Sequence, residues 1–128
     1  MLNVEKKSTM RNIEPRITRQ RVAIEAHYTI VINPRVLKNF LIELADRLGM
    51  KMYIPEPLVF SATGHGDPIH NGYEAYVLWV ESGSTVYVWE KLQFLTVDIY
   101  TCKTFDTQKA VDFVREFFKT TDFDYQEI

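Results

Sequence analysis

The chain has 128 residues, 46% of them hydrophobic and 13% aromatic, with a net charge of −2 at pH 7, enough for one domain with its own core. No run approaches the roughly 18 uninterrupted apolar residues that a membrane span needs, and no charged-then-apolar start leads to a cleavage site, so a cytoplasmic protein is expected. A single Cys excludes an internal disulfide and any cysteine-based zinc site.

The charge is unevenly spread. Residues 1–21 carry six Lys or Arg against two acids, +4, and the remainder nine against fifteen, −6. Residues 1–20 have few large apolar side chains and no steady period, and they are read as a flexible basic extension, a solvated tail rather than a nucleic-acid arm. The single domain is then expected over residues 21–128. Its first predicted strand runs from Arg21 to Ile32, on the partial alternation of Val22, Ile24, Ile30 and Ile32.

Asn33-Pro34 is a helix start, since Asn caps free amides and Pro suits the first helical position. Leu37, Phe40, Leu41, Leu44, Ala45 and Leu48 recur at helical spacing, and Gly49 stands where a left-handed cap belongs. Met50 to Ala62 is apolar but broken by Pro55-Glu56-Pro57, which predicts an edge strand or two short pieces. The loop from Ser61 to Asn71 contains His65, Asp67 and His70 at a spacing that fits no closed metal site, and no metal is expected.

Tyr73–Val80 and Thr85–Trp89 are rich in aromatic and β-branched residues and predict a hairpin across Glu81-Ser82-Gly83-Ser84. Pairing Val80 with Thr85 sets Leu78 opposite Tyr87, Tyr76 opposite Trp89 and Glu74 opposite Lys91, all on one face. A third strand, Phe94–Thr101, precedes Cys102. Asp106 is a cap for a second helix with Ala110, Phe113, Val114 and Phe117 inward, and the alternation after Phe123 predicts a final strand. Strand, helix, antiparallel strands, helix, strand implies an α+β two-layer sandwich with both helices on one face of the sheet. The opposite face is expected to expose Trp79 and Tyr73 and so to meet a partner subunit.

The stretch from Gly72 to Cys102 resembles the core of the small prokaryotic S-adenosylmethionine decarboxylases. Glu81-Ser82 matches the family's Glu-Ser, Trp89 its Trp, and Asp98-Ile99-Tyr100-Thr101-Cys102 its closing Asp-x-aromatic-Thr-Cys, with no gap between them. The resemblance implies a self-processing enzyme in which the Ser becomes a pyruvoyl group. That ketone takes up the substrate amine and accepts the electrons released as CO₂ leaves, and a Cys returns a proton.

Carried over by position, Ser82 is the pyruvoyl precursor and Cys102 the proton donor. Tyr87 and Glu74 occupy the two processing positions, where the family has His and Ser, and Gly83 replaces the His that follows the Ser. Glu81, Trp89, Glu90, Lys91 and Phe60 are the substrate-binding candidates: Lys91 stands where the family has a ribose-holding Glu, and a one-residue slip gives Glu90 that role. The resemblance further implies a homodimer, a small-molecule substrate and a role in polyamine synthesis. Two alternatives arise from the departures. One is an uncleaved relative that binds a nucleoside or regulates an active paralogue, and the other is a pyruvoyl decarboxylase of a different amino acid.

Overall fold

The computed structural model describes residues 10–128. Part of the predicted basic extension, residues 1–9, lies outside them. Residues 10–19 form neither strand nor helix. They turn around Arg19, whose guanidinium donates to the carbonyls of Glu14 and Ile17 and to Asn12 Oδ1.

The elements are β1 (Gln20–His27), α1 (Pro34–Leu48), β2 (Leu58–Ser61), β3 (Gly72–Trp79), β4 (Ser82–Trp89), β5 (Phe94–Thr101), α2 (Thr107–Phe118) and β6 (Phe123–Glu127). The strands form one antiparallel sheet in the order β2-β3-β4-β5-β1-β6. Both helices cover one face, as expected for a two-layer α+β sandwich. Phe40 of α1 stacks on Phe113 of α2 at 5.6 Å and meets Phe118 at 4.7 Å. Beneath them the inward residues of the four central strands, among them Ile24, Val77, Val86 and Val97, are buried.

The local signals explain the helices. Asn33 Oδ1 accepts the amide of Val36, Pro34 opens α1, and Gly49 closes it at φ 69. Asp106 caps α2 by accepting from Gln108 and Lys109. The Pro-broken stretch divides as expected, into an isolated bridge between Met52 and Trp79 and the short edge strand β2. The first strand is shorter than expected, ending at His27.

Two expectations are corrected. The β3–β4 connection is not the four residues Glu81–Ser84 but the two residues Val80 and Glu81, so Trp79 pairs with Ser82, Tyr76 with Thr85, Glu74 with Tyr87 and Gly72 with Trp89. Glu74 therefore does not face Lys91, which lies in the turn after β4. The small residues that suggested a loop lie in the strand. A Cβ on Gly83 would come within 2.8 Å of the Val77 carbonyl oxygen, and the turn is made by Glu81, held at φ 63. Trp79 and Tyr73 also do not line the uncovered face. They share a side with Ala75 and Val77, which puts Trp79 at 2% exposure under the helices. The open face carries Leu78, Tyr76, Tyr87 and Tyr100 instead.

Candidate active site

The hairpin separates the candidate residues into two groups. At the turn end, Ser82 opens β4 and pairs with Thr101, the last residue of β5. Thr101 is fully buried, and its hydroxyl donates to the carbonyl of Lys103 at 2.7 Å, bending the chain just after the strand. The bend presents the amide of Cys102 to Ser82, whose Oγ accepts it at 3.2 Å. Ser82 and Cys102 line one cavity of about 230 Å³ with Glu81, Lys51 and Lys103. The Lys103 ammonium donates to the Gly49 carbonyl at 2.9 Å, so the carbonyl end of α1 helps hold this cation at the wall.

Ser82 also borders a groove of about 470 Å³ on the open face, together with Arg21, Tyr76, Leu78, Asp98 and Tyr100. The Cys102 thiol donates to the Tyr100 phenol oxygen at 3.5 Å. Proton sharing with Cys102, ahead of burial, holds the Tyr100 phenol above its ordinary pKa, because beside an ionised sulfur the phenol keeps its proton as the donor, while Arg21 and Arg19 pull it down. The cavity and groove share Ser82, and Cys102 on the cavity and Tyr100 on the groove add a thiol and a phenol. This is a set suited to nucleophilic attack and to proton donation.

At the other end, Glu74 of β3 faces Tyr87 of β4, five residues from Ser82, or about 16 Å along the strand. Phe60 of β2 stacks on Tyr76 with centroids 6.3 Å apart. Trp89 packs against Tyr87 and Phe94, and its indole N–H donates to His70 Nδ1 at 3.0 Å. His70, Glu74, Tyr87 and Trp89 enclose a small cavity of about 100 Å³. Glu90 donates its amide to the Asn71 carbonyl, and Lys91 is exposed in the same turn.

Within one chain, then, Ser82, Cys102 and Glu81 come together, while Glu74, Tyr87, Trp89, Phe60, Glu90 and Lys91 collect at the opposite end. Sequence reasoning passed over Lys51, Lys103 and Arg21 at the first end. Nothing in the local pattern of Lys51 or Arg21 marks them, because they arrive from the segment between α1 and β2 and from β1. It weighed His70 only as a metal ligand, and its pairing with Trp89 depends on the fold of the loop.

Among curated protein sequences none matches this chain. Its fold is similar to that of the adenosylmethionine decarboxylase from Aquifex aeolicus VF5, with a TM-score of 0.69 at 14% identity over 88% of this chain and 89% of that one. Residues 22–128 match the family described as S-adenosylmethionine decarboxylase, so the described domain, from the second residue of the predicted 21–128 unit onward, belongs to the S-adenosylmethionine decarboxylase family.

Proposed function

We propose that the chain is a pyruvoyl-dependent carboxy-lyase acting on S-adenosylmethionine in polyamine synthesis, with Ser82 as the precursor of the pyruvoyl group and Cys102 as the proton donor. The observation that carries this reading is the joining of the two residues: the Cys102 amide donates to Ser82 Oγ, and both residues line the same cavity.

The residues at this end fit the group. Ser82 has its hydroxyl at a cavity wall, and the bond to be cleaved, Glu81–Ser82, directly follows a non-glycine residue in the left-handed region. That conformation costs about 1 kcal/mol and favours release of the turn. When formed there, a pyruvoyl group supplies an electron sink for decarboxylation. Cys102 then holds a proton at Sγ for the carbon that has lost CO₂. Lys51 and Lys103 keep the cavity cationic, and the buried Thr101 fixes the bend that aims the thiol.

The protein works as a cytoplasmic homodimer through the open sheet face, where Leu78, Tyr87 and Tyr100 are each more than a third exposed. An isologous pairing about an axis near mid-strand sets one protomer's turn end against its partner's far end. Glu74 and Tyr87 would then act on the partner's Ser82, and Phe60 and Trp89 would offer aromatic faces to the sulfonium and purine of the substrate. Glu81, Glu90 and Lys91 are the polar candidates for the rest of the ligand.

Carboxyl-labelled S-adenosylmethionine tests the reading. Labelled CO₂ is expected from the purified chain and not from Ser82→Ala. A cleaved chain that releases none from this substrate but releases CO₂ from another amino acid would move the assignment to that acid. An uncleaved chain stabilised by nucleosides would make it a binding relative.

A further inference from the structure

We propose that Tyr100 is a positioning residue for Cys102: its phenol oxygen directs the thiol and stabilises the thiolate left when the proton is given up. What the thiol is used for rests on the decarboxylase reading, whereas the tyrosine–thiol contact stands in the uncleaved chain.

The contact begins with strand geometry. Residues two apart on a strand point to one side, about 6.6 Å from each other. The chain bends after Thr101, and the thiol reaches the phenol oxygen at 3.5 Å. The tyrosine ring is held independently. Arg21 lies opposite Tyr100 in the β1–β5 pairing, and its guanidinium sits 5.0 Å above the ring centre, a cation–π arrangement that favours this rotamer. The backbone beneath the thiol is fixed on both sides, by the Cys102 amide on Ser82 and by Thr101 on the Lys103 carbonyl.

Reference acidities decide the role. A thiol has a pKa of about 8.5 and a phenol about 10, so the phenol keeps its proton and cannot act as the donor in place of sulfur. In the proposed step the S–H bond breaks, a C–H bond forms on the substrate carbon, and the electron pair remains on sulfur. The phenol O–H then turns to donate to that sulfur, a charge-assisted bond stronger than the one it replaces. Solvent returns the proton to sulfur afterwards.

The raised phenol pKa agrees with this order, since the phenol is held protonated beside the more acidic thiol. Other charges lie near the pair. Arg21 and Arg19 act on the phenol, Asp98 lies two residues back on the same side of β5, and Lys51, Lys103 and Glu81 line a cavity with Cys102.

The pH dependence of Cys102 alkylation by iodoacetamide in the full chain tests the proposal. Cys102 is the single cysteine, so the reaction reports one site, and the rate follows the thiolate. Tyr100→Phe removes the oxygen and leaves the ring under Arg21. Because Tyr100 is 39% exposed, the variant is expected to fold. Alkylation near neutral pH is expected to slow about tenfold, because the thiolate loses its phenol donor, and in the active enzyme kcat falls with KM unchanged. An alkylation profile identical to that of the parent chain would overturn the role of Tyr100. A shifted profile in a chain that never releases CO₂ would support the thiol contact and remove the decarboxylase reading alone.

Discussion

The two ends of the β3–β4 hairpin have the same backbone pairing but very different surroundings. At the turn end, Ser82 and Cys102 are joined by a hydrogen bond, backed by buried Thr101, and flanked by Lys103 on the cap of α1. At the far end, Glu74, Tyr87, Trp89 and His70 form an aromatic and acidic cluster around a smaller cavity, about 16 Å away along β4. The turn end keeps the family's residues at its two decisive positions, and the far end has replaced both of its own. On the proposed reading, nucleophile and proton donor belong to one end, and the far end is where the resemblance to the family's motif breaks.

The largest effect is expected from Ser82→Ala, which should abolish both chain cleavage and CO₂ release. Mass spectrometry and a labelled-substrate assay read the two losses separately, and residual cleavage would detach Ser82 from processing. Next is the far end. Restoring the family residues with Tyr87→His and Glu74→Ser is expected to speed cleavage about 10²- to 10⁴-fold, the range of a positioned acid–base group. An unchanged time course would show that the far end takes no part.

A smaller effect, on stability, distinguishes the tight turn end from mid-strand. Gly83→Ala drives a Cβ against the Val77 carbonyl oxygen and is expected to cost about 1–3 kcal/mol, read as a lower Tm. Thr85→Ala, further along the same strand, should stay within about 0.5 kcal/mol if its half-buried site is ordinary surface. Equal losses would remove the distinction.

The smallest effect is alkaline. Burial, ahead of the charges of Glu90 and Tyr73, raises the pKa of Tyr28. A phenol whose pKa is higher folded than unfolded contributes fully below the unfolded value of about 10, and that contribution is lost as pH rises through the folded one. Tyr28→Phe should flatten the fall of stability above about pH 10 in denaturant titrations. An unaltered slope would mean that Tyr28 is not the group responsible.

Much of the fold was legible because it is written locally. The Asn33, Pro34 and Gly49 signals delimit α1, Asp106 marks the start of α2, and alternation identifies β3, β4 and β5. The hairpin register was not legible. Ser82 and Gly83 have loop-like composition, yet the turn falls on Val80 and Glu81, because the gap at Gly83 admits the Val77 carbonyl and Glu81 accepts the left-handed conformation. That shift of the turn by two positions moved the register by four, taking the partner of Glu74 from Lys91 to Tyr87. The face of Trp79 was misjudged for a related reason, since alternation fixes which residues share a side but not which side the helices cover. For the site, the spacing from Ser82 to Cys102 was visible in the motif. Arg21 and Lys103 were not, because the places of Arg21 over Tyr100 and of Lys103 at the cavity wall depend on strand order and on the cap of a distant helix.

The intact mass of the purified chain after incubation, beside Ser82→Ala as control, tests the central claim most directly. The expected result is two fragments, the second beginning at position 82 with a blocked, pyruvoyl-type end. A single species at the full 15.0 kDa in both samples would contradict it.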